Sequence, residues 1–109
     1  MRKIEALMIQ AVKSHKAWKS GNTEVTLSAK DGLPHVYLHG NLIASVTNNG
    51  LIISDCGWQT TTTKSRLNAL LGGLIDRPVS ISQRDYTWRF RDNGISTIVE
   101  PHDKNLVRF

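Results

Sequence analysis

A single cysteine, Cys56, and the lack of any long apolar run restrict what this sequence of 109 residues can form. One cysteine excludes an internal disulfide and cannot supply a structural zinc site, so folding must rest on packing alone. A bilayer span would need about twenty consecutive apolar residues, and the N-terminus has no apolar stretch of the kind that directs secretion. We therefore expect a cytoplasmic protein with no membrane partner.

Acidic residues are the minority among the charged side chains. Fourteen Lys and Arg residues stand against nine Asp and Glu residues, which gives a net charge of +5 at pH 7. This balance favours association with polyanions such as nucleic acids, although a basic surface can also serve solubility alone. A chain of this length can bury roughly two thirds of its unfolded surface. We expect a single domain over residues 1–109 with one core.

Apolar residues recur at spacings of three and four near the N-terminus, which is the period of one helical face. The pattern predicts a first helix that runs to the stop signal at Ser20-Gly21-Asn22. Leu7 and Val12 are expected in the core and His15 partly buried. The apolar stripe comprises Ile4, Leu7, Met8, Ala11, Val12, His15 and Trp18.

A second helix is predicted to begin within Thr60 to Thr63. Its apolar stripe contains Leu67, Leu70, Leu71 and Leu74, and we expect Leu67 and Leu70 in the core. The pair Gly72-Gly73 predicts that this helix weakens or ends early.

Turn signals such as His39-Gly40 and Asn93-Gly94 separate segments in which apolar and polar residues alternate. These segments predict strands at about 23–29, 34–39, 42–47, 51–54, 78–83, 86–91 and 95–99. The predicted fold class is α+β, with a mainly antiparallel sheet of about five to seven strands and two helices in the order α-β-β-β-β-α-β-β-β. From about residue 101 the chain is either a flexible basic arm or a final edge strand.

Strand alternation also assigns the two faces of the predicted sheet. The face toward the core would carry Val25, Leu27, Val36, Leu38, Val79, Ile81, Trp88 and Phe90. The opposite face would carry Thr26, His35, Tyr37, His39, Ser80, Ser82, Arg89 and Arg91. Such a face can bind single-stranded nucleic acid, with Tyr37 and His39 for stacking and Arg89 and Arg91 for phosphates. An ordinary solvated face is the alternative.

The start of the second helix has an unusual composition. Thr62, Thr63, Lys64 and Arg66 could together bind a phosphate at the first turn. Alternatively, one threonine caps the helix and the two cations lie on a solvated face. Trp58 either stacks on a base or packs in the core, and the second is the commoner outcome for a Trp beside a helix. The segment lacks the glycine spacing of a P-loop, so NTP hydrolysis is not expected.

No catalytic or metal-binding arrangement is evident. His35 and His39 lie four apart on a predicted strand, about 13 Å along its axis, so they cannot share one metal ion. Cys56 is expected to be a small buried hydrophobe rather than a nucleophile. Asp31, Asp76 and Asp92 occupy turn positions, which leaves Asp55 as the least explained carboxylate. A small nuclease using His39 and Asp55 is a third hypothesis. We expect no enzyme activity, no metal and no cofactor.

Three segments carry a resemblance to a known family: Arg2-Lys3-Ile4-Glu5, residues 37–44 and residues 54–70. Through them the sequence resembles a family of small, functionally uncharacterised proteins from tailed bacteriophages, which implies the host-cell cytoplasm but no activity. We expect a non-enzymatic phage accessory protein that binds nucleic acid or nucleotides through a basic surface. The alternative is a modulator or inhibitor of a host enzyme or defence system, for instance during host takeover. Exposed strand edges leave a homodimer open.

Overall fold

The computed structural model describes residues 2–109, and within them the chain forms two helices and nine strands. The helices are α1 (Lys3–Lys13) and α2 (Thr61–Leu74). The strands are β1 (Trp18–Ser20), β2 (Thr23–Leu27), β3 (Pro34–Leu38), β4 (Asn41–Val46), β5 (Gly50–Ser54), β6 (Val79–Arg84), β7 (Thr87–Asp92), β8 (Ile95–Val99) and β9 (Lys104–Arg108). Neither of these helices is long and apolar enough to cross a membrane.

The strands form two antiparallel sheets rather than one. A six-stranded sheet has the order β1-β2-β3-β4-β5-β9, and a three-stranded sheet has the order β6-β7-β8. The predicted α+β class is therefore confirmed. β1 and β9 are additional to the predicted strands. Of the two alternatives for the segment after residue 101, a flexible arm or an edge strand, β9 confirms the edge strand.

Short turns with positive φ set the register of two hairpins. His39 and Gly40 have φ values of 51° and 79°, and they join β3 to β4. Asn93 and Gly94 have φ values of 50° and 84°, and they join β7 to β8. Two-residue turns of this kind match the right-handed twist of the strands. His39 therefore lies in a turn, not on the strand where the sequence placed it.

The core lies between the helix pair and the two sheets. α1 contacts α2 and β2, while α2 also contacts β4 and β6. Nine predicted core residues are confirmed: Val12, Val25, Val36, Leu38, Leu67, Leu70, Val79, Ile81 and Trp88. The prediction for Leu7 is wrong, because this side chain lies at the margin of the buried stripe and is 39% exposed. Leu27, at the end of β2, is also exposed, and Phe90 is only partly buried.

The first helix is shorter than its apolar periodicity predicts. It ends at Lys13, and His15 adopts a φ of 51°, which a helix does not allow. His15 is exposed rather than partly buried. Trp18 lies on β1, where it pairs with Val25 and packs against the core.

The second helix, in contrast, continues through its two glycines to Leu74. A Cβ atom at Gly73 would lie 2.9 Å from two carbon atoms of Ile9 on α1. Gly73 is thus the point where α2 comes closest to Ile9, and its lack of a side chain serves packing rather than helix termination. The predicted early end of the helix is wrong for this reason.

Candidate nucleic-acid interface

Three arginines lie on the outer face of the three-stranded sheet. In the β6–β7 register Ser82 is opposite Arg89 and Arg84 is opposite Thr87. In the β7–β8 register Arg91 is opposite Ser96. Because alternate residues of a strand share a face, these side chains form one surface, which we call the arginine face. We restrict this name to Ser82, Arg84, Thr87, Arg89, Arg91 and Ser96. Ser80, opposite Arg91, and Ile98, opposite Arg89, lie on the same side of the sheet, on its two edge strands.

The arginine face is concave, polar and positively charged. Its side chains, with Asp85 at the β6–β7 turn, line a depression of about 660 Å³. Within residues 2–109, none of the guanidinium groups of Arg84, Arg89 and Arg91 forms a salt bridge with a carboxylate. Three arginines without an acidic partner in one depression can bind phosphate groups by charge-assisted hydrogen bonds.

The opposite face of this sheet holds it in place. Val79, Ile81, Trp88 and Val99 are buried against the core. The Asn68 side chain of α2 also binds the backbone of Ile81, accepting from its N–H at 2.7 Å and donating to its carbonyl oxygen at 2.8 Å. The arginine face is therefore built on a sheet fixed to α2, which reduces the ordering cost of binding.

A salt bridge connects the segment just before β6 with the last residue of β7. The guanidinium of Arg77 contacts both carboxylate oxygens of Asp92, at 2.9 Å and 3.0 Å. The ionised carboxylate is stabilised mainly by this hydrogen bond, which lowers the pKa of Asp92. Arg77 also donates to the carbonyl oxygen of Arg108 and so connects the three-stranded sheet to β9.

A second concavity, the Trp58 cleft, lies between the β3–β4 turn and the start of α2. It has a volume of about 460 Å³, and the buried side chains of Leu38 and Ile43 contribute to its lining. The remaining lining residues are His39, Asn41, Asp55, Trp58, Thr60, Thr62 and Thr63. Trp58 is 60% exposed, so the expectation that it packs in the core is wrong. Cys56 and Gly57 both have positive φ, and this turn leaves the indole largely in solvent.

The structure gives Asp55 a structural role. The side chain is buried, and its Oδ1 accepts hydrogen bonds from the N–H groups of Gly57 and His102 at 2.7 Å and 2.8 Å. Its Oδ2 accepts from the Gln59 amide at 3.0 Å. These bonds join the loop before α2 to the loop before β9 and account for the carboxylate without a catalytic role. Cys56 is partly buried, and its thiol donates to the Leu42 carbonyl oxygen.

Arg66 is not on the surface. Its side chain is 4% exposed, and its Nη1 forms a salt bridge with Oε2 of Glu5 at 2.8 Å. Its Nε donates to the Thr23 hydroxyl at 3.0 Å, so one guanidinium connects α2 with α1 and β2. The expectation that Arg66 contacts a phosphate is therefore wrong, because the group is already paired inside the core.

The threonines at the start of α2 are also largely explained by the fold. Thr60 is the N-cap, and its hydroxyl accepts from the N–H of Thr63 at 3.1 Å. Thr63 is buried with its hydroxyl bonded to that of Thr60. Thr62 and Lys64 are half-buried. The cap predicted within Thr60 to Thr63 is confirmed, and a phosphate contact by Thr62 or Lys64 stays a prediction.

Glu5 should make stability depend on pH. Burial alone would raise its pKa, but hydrogen bonds from Ser65 and Arg66 outweigh burial and lower the pKa below its ordinary value of about 4.5. A carboxyl group with a lowered folded-state pKa stabilises the fold above the unfolded-state pKa, and this contribution is lost as pH falls through the folded-state pKa. We expect the difference in unfolding free energy between the parent and Glu5→Gln to shrink as denaturant titrations move from pH 7 to pH 3. A difference that stays constant over that range would contradict the assignment.

Several predicted site residues lie away from the arginine face, on other surfaces of the molecule. Tyr37 is on β3 of the six-stranded sheet, between Glu24 and Leu42 of the adjacent strands. The sequence placed it on one face with Arg89 and Arg91, but these residues belong to different sheets. His39, Trp58, Thr62 and Thr63 share the cleft. Within residues 2–109 no group of three or more His, Cys, Asp or Glu side chains could hold a metal ion.

Comparison with known proteins gives one family and no individual relative. The sequence model described as Kyanoviridae Gp96 protein matches residues 1–106. The match agrees with the resemblance to bacteriophage proteins and narrows it to a family from cyanophages. No curated protein and no solved structure gives a significant match.

Proposed function

We propose that this chain, which belongs to the Kyanoviridae Gp96 family of bacteriophage proteins, is a non-enzymatic accessory protein that binds nucleic acid through the arginine face. The observation that carries the proposal is the position of Arg84, Arg89 and Arg91 on one outer sheet face, with no carboxylate pairing any of them in residues 2–109. The net charge of +5 adds a general attraction to polyanions.

The composition of the arginine face favours the phosphate backbone over the bases as the target. Its other members, Ser82, Thr87 and Ser96, carry hydroxyl groups that can donate to phosphate oxygens. None of its six members is aromatic, so the face itself offers no stacking platform. We infer binding that depends weakly on sequence and strongly on salt.

The proposal predicts the effect of Arg91→Ala on salt dependence. Each phosphate contact contributes about 0.9 to the slope of log K against log salt on duplex DNA, or about 0.7 on single strands. Arg91→Ala should therefore flatten the slope by roughly one such contribution, measured by fluorescence anisotropy with labelled duplex and single-stranded oligonucleotides of DNA and RNA. Lys30→Ala, which removes an exposed cation in the β2–β3 turn, is the matched control and should change the slope much less.

The same titration decides between this function and the alternative. If the parent has no affinity for DNA or RNA at low salt, or if both variants change the slope equally, the arginine face is not a nucleic-acid site. The chain would then fit a modulator of a host or phage protein, for which the exposed Trp58 beside an apolar cleft is a suitable anchor. Capture from nuclease-treated lysate that is lost with Trp58→Ala would support that role.

A further inference from the structure

Strand β8 has a free edge. It is the last strand of the three-stranded sheet and pairs only with β7. Four of its five residues are exposed, and Ile95 and Ile98 are 71% and 54% exposed. A strand edge presents unpaired N–H and C=O groups that can pair with another strand, so proteins usually protect such edges.

The other sheet edges in the described residues carry protection that β8 lacks. Charged side chains occur on the edge strands β1 and β9, through Lys19, Lys104 and Arg108. The edge strand β6 ends with Arg84, and the Asn68 side chain already bonds the backbone of Ile81. β8 contains only Ile95, Ser96, Thr97, Ile98 and Val99. It is the one edge strand in residues 2–109 with no charge.

The β7–β8 hairpin fixes which backbone groups reach the free edge. Residues that flank a two-residue turn form a hydrogen-bonded pair, here Asp92 and Ile95. The groups that point toward β7 then belong to Ile95, Thr97 and Val99. The N–H and C=O groups of Ser96 and Ile98 point outward.

This arrangement is complementary to itself. Suppose that β8 of a second copy pairs antiparallel with this β8 so that the two Thr97 residues are opposite each other. Ser96 of each copy then lies opposite Ile98 of the other copy. Each of these two pairs would form two backbone hydrogen bonds. Ile95 would lie opposite Val99 of the second copy, and no like charges would meet.

We propose that β8 pairs with β8 of a second copy of this chain, so that two three-stranded sheets form one six-stranded sheet. The pairing itself does not depend on the proposed function, but its consequence for nucleic-acid binding rests on that function. The two-fold axis of an antiparallel pair is perpendicular to the sheet, so both arginine faces lie on the same side. The two β7 strands are separated by three strand spacings, about 14 Å. The dimer presents six arginines on one continuous surface.

Charge variants at the two-fold position test the pairing. Thr97→Lys and Thr97→Glu each place like charges directly opposite each other, so each variant alone should be monomeric. An equimolar mixture should form dimers, because each Lys meets a Glu. Ser20→Lys, which adds the same charge on the edge strand β1, is the control and should dimerise like the parent.

Sedimentation equilibrium without nucleic acid, across micromolar to millimolar concentrations, measures the result. We expect the parent to approach twice its mass of 12.2 kDa with increasing concentration. Ser96→Pro removes an outward N–H without touching the bonds to β7, and it should stay monomeric with an unchanged circular dichroism spectrum. If Ser96→Pro does not fold, the Thr97→Lys and Thr97→Glu variants alone test the pairing of β8.

A parent that is monomeric at every concentration would overturn the proposal. An equimolar mixture of Thr97→Lys and Thr97→Glu that does not associate would overturn it as well. Nucleic-acid binding is a separate measurement. A dimer without affinity for oligonucleotides would overturn only the proposed function, whereas salt-dependent binding by a monomer would overturn only the pairing of β8.

Discussion

Replacement of Arg66 by alanine is expected to lower the free energy of unfolding by about 3–5 kcal/mol, because it leaves the buried Glu5 carboxylate without its cation. The loss includes the hydrogen bond to Thr23, whose side chain is fully buried. Urea titration followed by circular dichroism measures the change. Total stabilities are typically about 5–15 kcal/mol, so the variant should be unfolded by much less denaturant than the parent.

Two further variants separate the buried pair from general effects of charge. Lys64→Ala removes a cation two residues away that forms no salt bridge in the described part of the chain, and it should change stability little. Replacing both partners, as in Glu5→Leu with Arg66→Met, should restore much of the loss, since no isolated charge stays buried. A double variant as unstable as Arg66→Ala would contradict this explanation.

Leu70→Ala is expected to cost about 2–5 kcal/mol, because Leu70 is fully buried and its removal leaves a cavity between α2 and the sheets. Leu7→Ala is the matched control, since it makes the same chemical change on a helix residue that is 39% exposed. Both are measured by urea titration at neutral pH. Equal losses for the two variants would contradict the observed orientation of the helices.

The strands could be predicted to a large extent because their turns have a clear chemical signature. His39-Gly40 and Asn93-Gly94 are residues that accept positive φ, and the segments around them alternate. β1 could not be predicted in the same way. Trp18 continues the helical spacing of the first helix, and periodicity alone does not reveal that the chain turns at His15.

The partner of Arg66 could not be read from local pattern, because Glu5 lies 61 residues away. A signal was nevertheless present in the sequence. Glu5 precedes Met8, Ile9 and Val12 by three, four and seven residues, which places a carboxylate on the buried side of α1. A carboxylate in that position requires a buried cation or donor from elsewhere in the chain.

The candidate interface was partly predictable. Alternation placed Arg89 and Arg91 on the outer face of their sheet, and the structure confirms that orientation. Arg84 was missed because it lies one residue beyond the predicted end of its strand. The exposure of Trp58 was not predictable from composition, since it depends on two consecutive residues, Cys56 and Gly57, with positive φ.

The pairing of β5 with β9 affects the order in which the chain folds. The two strands lie about fifty residues apart, whereas β6, β7 and β8 pair with immediate neighbours. Contacts close in sequence form before contacts that must first close a long loop. Until β9 docks, β5 is an edge strand, and the apolar segment from Leu51 to Ile53 has unpaired backbone groups on one side. Aggregation during folding should therefore begin at β5, and residues that speed the docking of β9 should suppress it.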